Sequence, residues 1–233
     1  MIPAIDTIAR ATWNTVSPVR CAGCGRPDVV CCPACARELA PLIHHPTLAI
    51  RRALFDTPVV AGTRYHGVVK RVVTAYKERG VVSLGRLLAR PLRGAVKALH
   101  REVSLDGAIV VCVPHSRSGW VRRGRQPTRD LVKRAGWAGA LAPVGSLRIA
   151  PQSVRIHPSA TQKNRSRRER LSAPPTFVGG AGIEGVRVLL IDDVLTTGIS
   201  LEYAARAIAA AGGIVAGAAV VAATPPRGNS VSM

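Results

Sequence analysis

The chain has 233 residues, with 33 lysines and arginines against 13 acidic residues and a formal net charge of +20. That length holds one α/β domain of ordinary size and a small appendage. The charge favours polyanions or phosphorylated ligands as partners, although arginine-rich chains from GC-rich genomes are basic without one, and an aromatic content of 3% argues against a base-stacking platform.

Residues 1–20 carry a weak helical pattern at Ile5, Ile8 and Trp13, and with Asp6 and Arg10 they lack the continuous apolar stretch of a secretory leader. A cytoplasmic, reducing setting is therefore expected. Next come Cys21-Ala22-Gly23-Cys24 and Cys32-Pro33-Ala34-Cys35, two C-x-x-C knuckles separated by seven residues. Four thiolates at this spacing suit a tetrahedral Zn²⁺, and Gly23 and Gly25 allow the tight knuckle turn. Cys21, Cys24, Cys32 and Cys35 are the expected ligands, with Cys31 a spare or a register alternative to Cys32; disulfides are the main alternative reading of these cysteines. Such a site leaves no open coordination position, so its expected role is to fold a segment too small for its own core or to present a surface. Residues 36–39 read as a short helix leaving the module. The expected division is a zinc-binding module over 1–45 and an α/β body over 46–233.

In the body, 57–65 reads as the entering strand and 67–79 as a helix with Val68, Val69, Val72, Val73 and Tyr76 on its apolar side, capped by Gly80. A second amphipathic helix over 84–99 presents its arginines and lysine as a solvated face. Residues 108–113 form a buried strand, with Cys112 as a core thiol, ending at Pro114-His115-Ser116-Arg117. A basic loop over 120–125, a helix over 128–135 and a strand-like element from Leu147 to Ile149 follow. Strands alternating with helices predict a parallel, doubly wound sheet.

Gly180-Ala181-Gly182-Ile183-Glu184-Gly185 spells G-x-G-x-x-G but runs straight into the next strand, leaving no room for the helix that a dinucleotide turn must open. No G-x-x-x-x-G-K-[ST] occurs, so a P-loop is unsupported. Residues 186–191 read as a strand buried on both faces, and 201–209 as an alanine-rich helix ending at Gly212-Gly213. The uncharged stretch 207–223 is shorter than the ~20 residues a membrane span needs and is broken by those glycines. Helix, turn and buried strand is the better reading, with no membrane span.

Between that strand and helix lie Asp192, Asp193 and Thr196-Thr197-Gly198-Ile199-Ser200. Open α/β sheets bind ligands beyond the carboxyl ends of their strands, where the next helix offers unpaired N–H groups and a positive dipole end to an anion. A phosphate would sit on 196–200, where Gly198 permits close backbone approach and the hydroxyls of Thr196, Thr197 and Ser200 donate. The two acids lie one sugar-length away, placed to accept from ribose hydroxyls directly or through a hydrated Mg²⁺. The alternative is an ordinary N-capped turn beside two solvated acids.

Asp192-Asp193-x-x-Thr196-Thr197-Gly198 resembles the 5-phosphoribosyl-1-pyrophosphate (PRPP) binding motif of type I phosphoribosyltransferases. With the cysteine module, the chain resembles the ComF family, competence-associated proteins with a zinc-ribbon start and a phosphoribosyltransferase-like body. Further matching positions are Tyr65-His66-Gly67, Lys77 with Gly80, Val113-Pro114, Arg123-Gly124 followed by Gln126, and Gln162 with Arg170 and Phe177. The resemblance implies Mg²⁺ with PRPP and a structural Zn²⁺. It implies Asp192 and Asp193 as catalytic acids and Leu195, Thr196, Thr197, Gly198 and Ser200 as the 5-phosphate loop. Pro114, His115, Ser116 and Arg117 become the pyrophosphate loop, with Arg122, Arg123, Arg125 and Lys77 as neutralising cations; a basic surface loop is the equal alternative for any one arginine.

Gln162 to Arg170, with Lys163, Arg165, Arg167 and Arg168, corresponds to the hood of related enzymes and serves either PRPP or DNA. Here the chain departs from the family, carrying Ala173 where an asparagine is expected, followed by Pro174-Pro175. Two functions stand side by side: phosphoribosyl transfer to an acceptor that no motif identifies, and a non-catalytic accessory of DNA uptake that binds single-stranded DNA and a helicase partner. A PRPP-sensing regulator is a third.

Overall fold

The computed structural model describes residues 19–44, 48–49, 57–114, 125–136, 148–149, 157–158, 177–178 and 182–224. In chain order these give α1 (Pro33–His44), β1 (Leu48–Ala49), β2 (Val59–Arg64), α2 (Gly67–Lys77), a 3-10 turn (Val82–Leu84) and α3 (Gly85–Glu102). Then come β3 (Ile109–Cys112), α4 (Pro127–Arg134), β4 (Arg148–Ile149), β5 (His157–Pro158), β6 (Phe177–Val178), β7 (Arg187–Leu195), α5 (Ile199–Ala210) and β8 (Ile214–Ala223). The main sheet runs β1-β2-β8-β7-β3-β4. Only β1 is antiparallel to its neighbour in it; β5 and β6 pair as a separate antiparallel ribbon.

The expected parallel sheet with flanking helices is present, and its apolar strands are covered on both faces. One core gathers Val60, Val110, Leu189 and Ile191 of the sheet with Val68, Val72, Tyr76, Leu88, Leu92, Leu99, Leu131 and Val132 of α2, α3 and α4. On the other face Val59, Val111, Val188, Leu190 and Val220 pack with Leu201, Ala204 and Ile208 of α5. Neighbouring strand residues serve opposite cores because side chains alternate across a strand. On α3, Arg86, Arg90, Arg93 and Lys97 are exposed, so the expected solvated face is present. Among the described residues no helix is long and apolar enough to cross a membrane.

Packing of β2 on α3 depends on a missing side chain. A Cβ on Gly62 would lie 2.1 Å from the carbonyl oxygen of Pro91, which sits inside α3. Backbone cannot yield as a flexible side chain would. Gly62→Ala is expected to lower stability by about 3 kcal/mol, the upper part of the overpacking range. In a denaturant melt the midpoint should fall with the slope unchanged.

Several boundaries differ from expectation. β7 continues past Ile191 to Leu195, because β8 supplies partners for it at Val220, Ala222 and Ala223. The two acids therefore belong to the strand. α5 begins at Ile199 rather than Leu201, and α1 begins at Pro33, whose fixed φ suits a first helical position, so that Cys35 is helical. Cys112, expected as a core thiol, is half-buried at the last position of β3 and packs against the main core. The pattern at Ile5, Ile8 and Trp13, the basic loop up to Gly124 and the segment Gln162 to Arg170 lie outside the described residues.

Candidate functional site

β3 and β7 are adjacent parallel strands whose continuations diverge. β3 leads to α4 on the first core face and to β4 on one side, whereas β7 leads to α5 on the opposite face and to β8 on the other side. This is the topological switch point at which open α/β sheets form a ligand crevice. At its carboxyl edge the Val113 N–H donates to the Ile191 carbonyl at 2.8 Å, which sets Pro114 beside the start of the acidic pair.

Asp192 and Asp193 are 7% and 2% exposed, so both carboxyls are held out of water. Lys77, at the end of α2, places Nζ 3.0 Å from Asp193 Oδ1 in a hydrogen bond and 2.9 Å from Oδ2 in an ion pair. Burial works against the lysine charge, but the Asp193 carboxylate outweighs it and holds the ammonium above its ordinary pKa. Asp192 accepts the Asp193 backbone N–H at 2.8 Å. Burial first, and the neighbouring Asp193 charge second, raise the Asp192 pKa well above the ordinary aspartate value.

That shift has a consequence for stability. A carboxyl whose folded pKa is raised is fully accommodated below its unfolded value of about 3.9, and its stability contribution is lost as pH climbs towards the raised value. Asn keeps the oxygen that accepts the Asp193 N–H and carries no charge. Asp192→Asn is therefore expected to raise the melting temperature at pH 7.5, with the gain shrinking to nothing below about pH 4. Thermal melts across pH check this; an equal or lower melting temperature at pH 7.5 contradicts it.

Beyond the acids, Leu195 is buried, and its carbonyl accepts the Thr224 N–H at 2.9 Å, which ties the loop base to β8. Thr196, Thr197 and Ser200 are exposed. Gly198, at φ 84°, is the N-terminal cap of α5 in the left-handed region that favours glycine. Thr197 Oγ1 accepts the Ile199 N–H at 3.5 Å, and the Gly198 carbonyl accepts from Glu202 at 2.9 Å. The loop thus turns sharply and presents hydroxyls with the first N–H groups of a helix.

Of the residues expected to meet pyrophosphate, His115, Ser116, Arg117, Arg122 and Arg123 lie outside the described residues. Arg125 lies 4.4 Å over the Tyr76 ring, donates to the Tyr76 carbonyl and stands 3.2 Å from Asp130. The Tyr76 hydroxyl donates to the Pro127 carbonyl at 3.1 Å. These contacts lock the end of α2 to the start of α4, and Arg125 uses its charge within that lock. Sequence reasoning placed Tyr76 only on an apolar face and did not single out Asp130; its position in the first turn of α4, five residues after Arg125, was the available signal.

The sulfurs of Cys21, Cys24, Cys32 and Cys35 all lie within 4.8 Å of one another, a set that could hold a metal ion. Cys24 and Cys32 sulfurs are 3.6 Å apart, near the ~3.8 Å edge of a tetrahedron with 2.3 Å zinc–sulfur bonds. Cys31 stands outside this group, its sulfur 4.0 Å from the Cys32 carbonyl. Burial pushes the Cys21 thiol up, yet the backbone N–H groups of Cys32, Cys24 and Gly23 outweigh it and bring its pKa down to about 6. Cys35 is pushed far up, by burial first and then by its sulfur neighbours. A cation at the centre would relieve that conflict. The cluster is part of the main core: Cys21, Ala22, Cys32, Cys35 and Leu39 pack with Val60, Val68 and Val72.

Residues 149–232 match the family model for the phosphoribosyl transferase domain, a span that contains the acids, the loop, α5 and β8. Over 44 residues the chain is 58% identical to orotate phosphoribosyltransferase of Pyrobaculum islandicum, covering 19% of this chain and 23% of that protein. The chain thus matches less than a quarter of the length of this curated relative. Among solved structures it is similar to a glutamic acid mutant of HPRT at an invariant aspartic acid (TM-score 0.35, 14% identity, 62% of this chain and 79% of that one). It is also similar to hypoxanthine phosphoribosyl transferase of Trypanosoma cruzi (TM-score 0.34, 14% identity, 64% and 76%).

Proposed function

We propose that this chain binds PRPP with Mg²⁺ and transfers its phosphoribosyl group, as a ComF-type protein whose Cys21, Cys24, Cys32 and Cys35 hold a structural Zn²⁺. The observation that carries the reading is the buried pair Asp192 and Asp193 at the switch point, followed directly by the Gly198 turn and the start of α5. The phosphoribosyl transferase family match over 149–232 and the orotate phosphoribosyltransferase relative support the same chemistry.

In this reading 196–200 take the 5-phosphate on helix N–H groups and hydroxyls, and Asp192 and Asp193 accept from the ribose hydroxyls. Mg²⁺ would be held by the same two carboxylates, where burial first and the Asp193 charge second raise the Asp192 pKa, and would neutralise pyrophosphate charge. Pro114 to Arg117 and Arg123 form the pyrophosphate side, and Lys77 and Arg125 join it only on leaving their contacts with Asp193 and with Tyr76 and Asp130. Fixed donors and cations stabilise charge developing on the leaving group without reorganising, which is where the rate gain arises. The zinc module of 1–45 then steadies the body of 46–233. Calorimetry of PRPP with Mg²⁺, on the wild type and on Asp192→Asn/Asp193→Asn, tests the donor site.

The net charge of +20, with the exposed cations Arg86, Arg90, Arg93 and Lys97 along α3, favours a second reading: an accessory of DNA uptake that binds single-stranded DNA and a helicase partner. Its test is the salt dependence of DNA binding. Neutralising Arg165, Arg167 and Arg168 is expected to reduce the slope of log affinity against log salt by about 2, at about 0.7 for each phosphate that an arginine had neutralised. An unchanged slope rejects those arginines as phosphate ligands.

A further inference from the structure

α2 joins the two candidate sites. Near its start the helix is seated on the first cysteine knuckle: Arg71 Nε donates to the Gly23 carbonyl, across 48 positions of sequence. A Cβ on Gly23 would lie 2.5 Å from Cys35 Sγ and 2.7 Å from Val68 Cγ2, so the knuckle backbone is pressed between the cysteine cluster and α2 with no slack. At the other end of the same helix, Lys77 meets Asp193. Lys77 follows Arg71 by six positions of helix, a rise of about 9 Å. Between them Val72, Val73, Ala75 and Tyr76 are buried, so the helix moves as one body or not at all.

We propose that Arg71 is a positioning residue: by holding α2 on the Gly23 carbonyl of the metal knuckle, it sets Lys77 on Asp193, and the cysteine cluster thereby becomes a remote support of the sugar-phosphate site. The ligand arm of this inference rests on the PRPP reading; the link between knuckle and ion pair does not. Arg71 is exposed, and its side chain fills no core, so its loss removes the tie without opening a cavity. Remote couplings of this kind change affinity by about 5–150-fold.

The test is a double-mutant cycle on zinc-loaded protein, with zinc content and melting temperature checked for each variant. Arg71→Met is expected to weaken PRPP binding at least 5-fold, and Arg71→Lys, which keeps a donor for the Gly23 carbonyl, to restore most of it. In a Lys77→Met background Arg71→Met should add less than about 2-fold, because its effect passes through Lys77. Equal losses in both backgrounds, or an unaltered affinity in Arg71→Met, overturn the proposal. A wild type that binds no PRPP sinks the functional reading instead, and the link is then read from the metal side. Asp193→Asn should speed zinc release to a chelator at least 5-fold in the wild-type background and leave it unchanged in Arg71→Met. Equal release rates in Asp193→Asn and the wild type overturn the link itself.

Discussion

Asp192→Asn/Asp193→Asn is expected to abolish measurable PRPP binding in the presence of Mg²⁺. Each carboxylate removed takes away a charge-assisted hydrogen bond or a cation ligand of about 1.5–3 kcal/mol, so the pair accounts for about 3–6 kcal/mol. At 1.4 kcal/mol per tenfold, affinity falls by at least about 100-fold. The fold itself is expected to survive, because the two substitutions act in opposite senses. Asn at 192 relieves a buried charge whose pKa is raised by burial and by Asp193. Asn at 193 deprives Lys77 of its partner, but the lysine side chain is 27% exposed and can reach water. A melting temperature near that of the wild type, together with absent heat on PRPP addition, is the expected combination. Wild-type affinity in the variant rejects the acids as the ribose site.

The parts of this molecule that depend on local pattern were legible in the sequence. Apolar runs over 186–191 and 108–113, alternating with helical periodicity, announced a parallel sheet covered on both faces, and the turn at Gly198 marked the loop between β7 and α5. The cysteine spacing left Cys31 and Cys32 as alternatives, and the fold gathers Cys32. What could not be read depends on contacts distant in sequence. Lys77 reaches Asp193 across 116 positions, so a lysine expected to meet pyrophosphate is already engaged with an acid expected to meet ribose. Arg125 is likewise held by Tyr76 and Asp130. The acids looked like the residues that end a strand, because aspartate disfavours strands; β8 supplied backbone partners that override this preference. Side-chain periodicity carries no record of such partners.

With Zn²⁺ on the cysteine cluster as proposed, its removal is expected to have the largest effect on the fold. Structural Zn²⁺ sites contribute about 10–16 kcal/mol at neutral pH, whereas a whole domain is stable by about 5–15 kcal/mol. The loss therefore exceeds what the remaining core can offset. The cluster is no detachable appendage: Cys32 and Cys21 are 0% and 2% exposed within the core that holds α2, α3 and α4. A chelator should thus abolish the cooperative transition or lower its midpoint by at least about 20 °C, since about 10 kcal/mol or more is lost and roughly 2–4 °C accompanies each kcal/mol in a chain of this size. Cys24→Ser should bring metal content, read by elemental analysis, close to zero, because Cys24 is one of the four sulfurs that the described residues gather there. Cys31→Ser should retain one metal ion per chain, since its sulfur stands outside the set. A chelated protein that melts with the wild type, or a Cys31→Ser variant without metal, contradicts the assignment. Acid should mimic the chelator, because protons compete for the thiolates that the metal requires, and metal release on lowering the pH should coincide with loss of the cooperative transition.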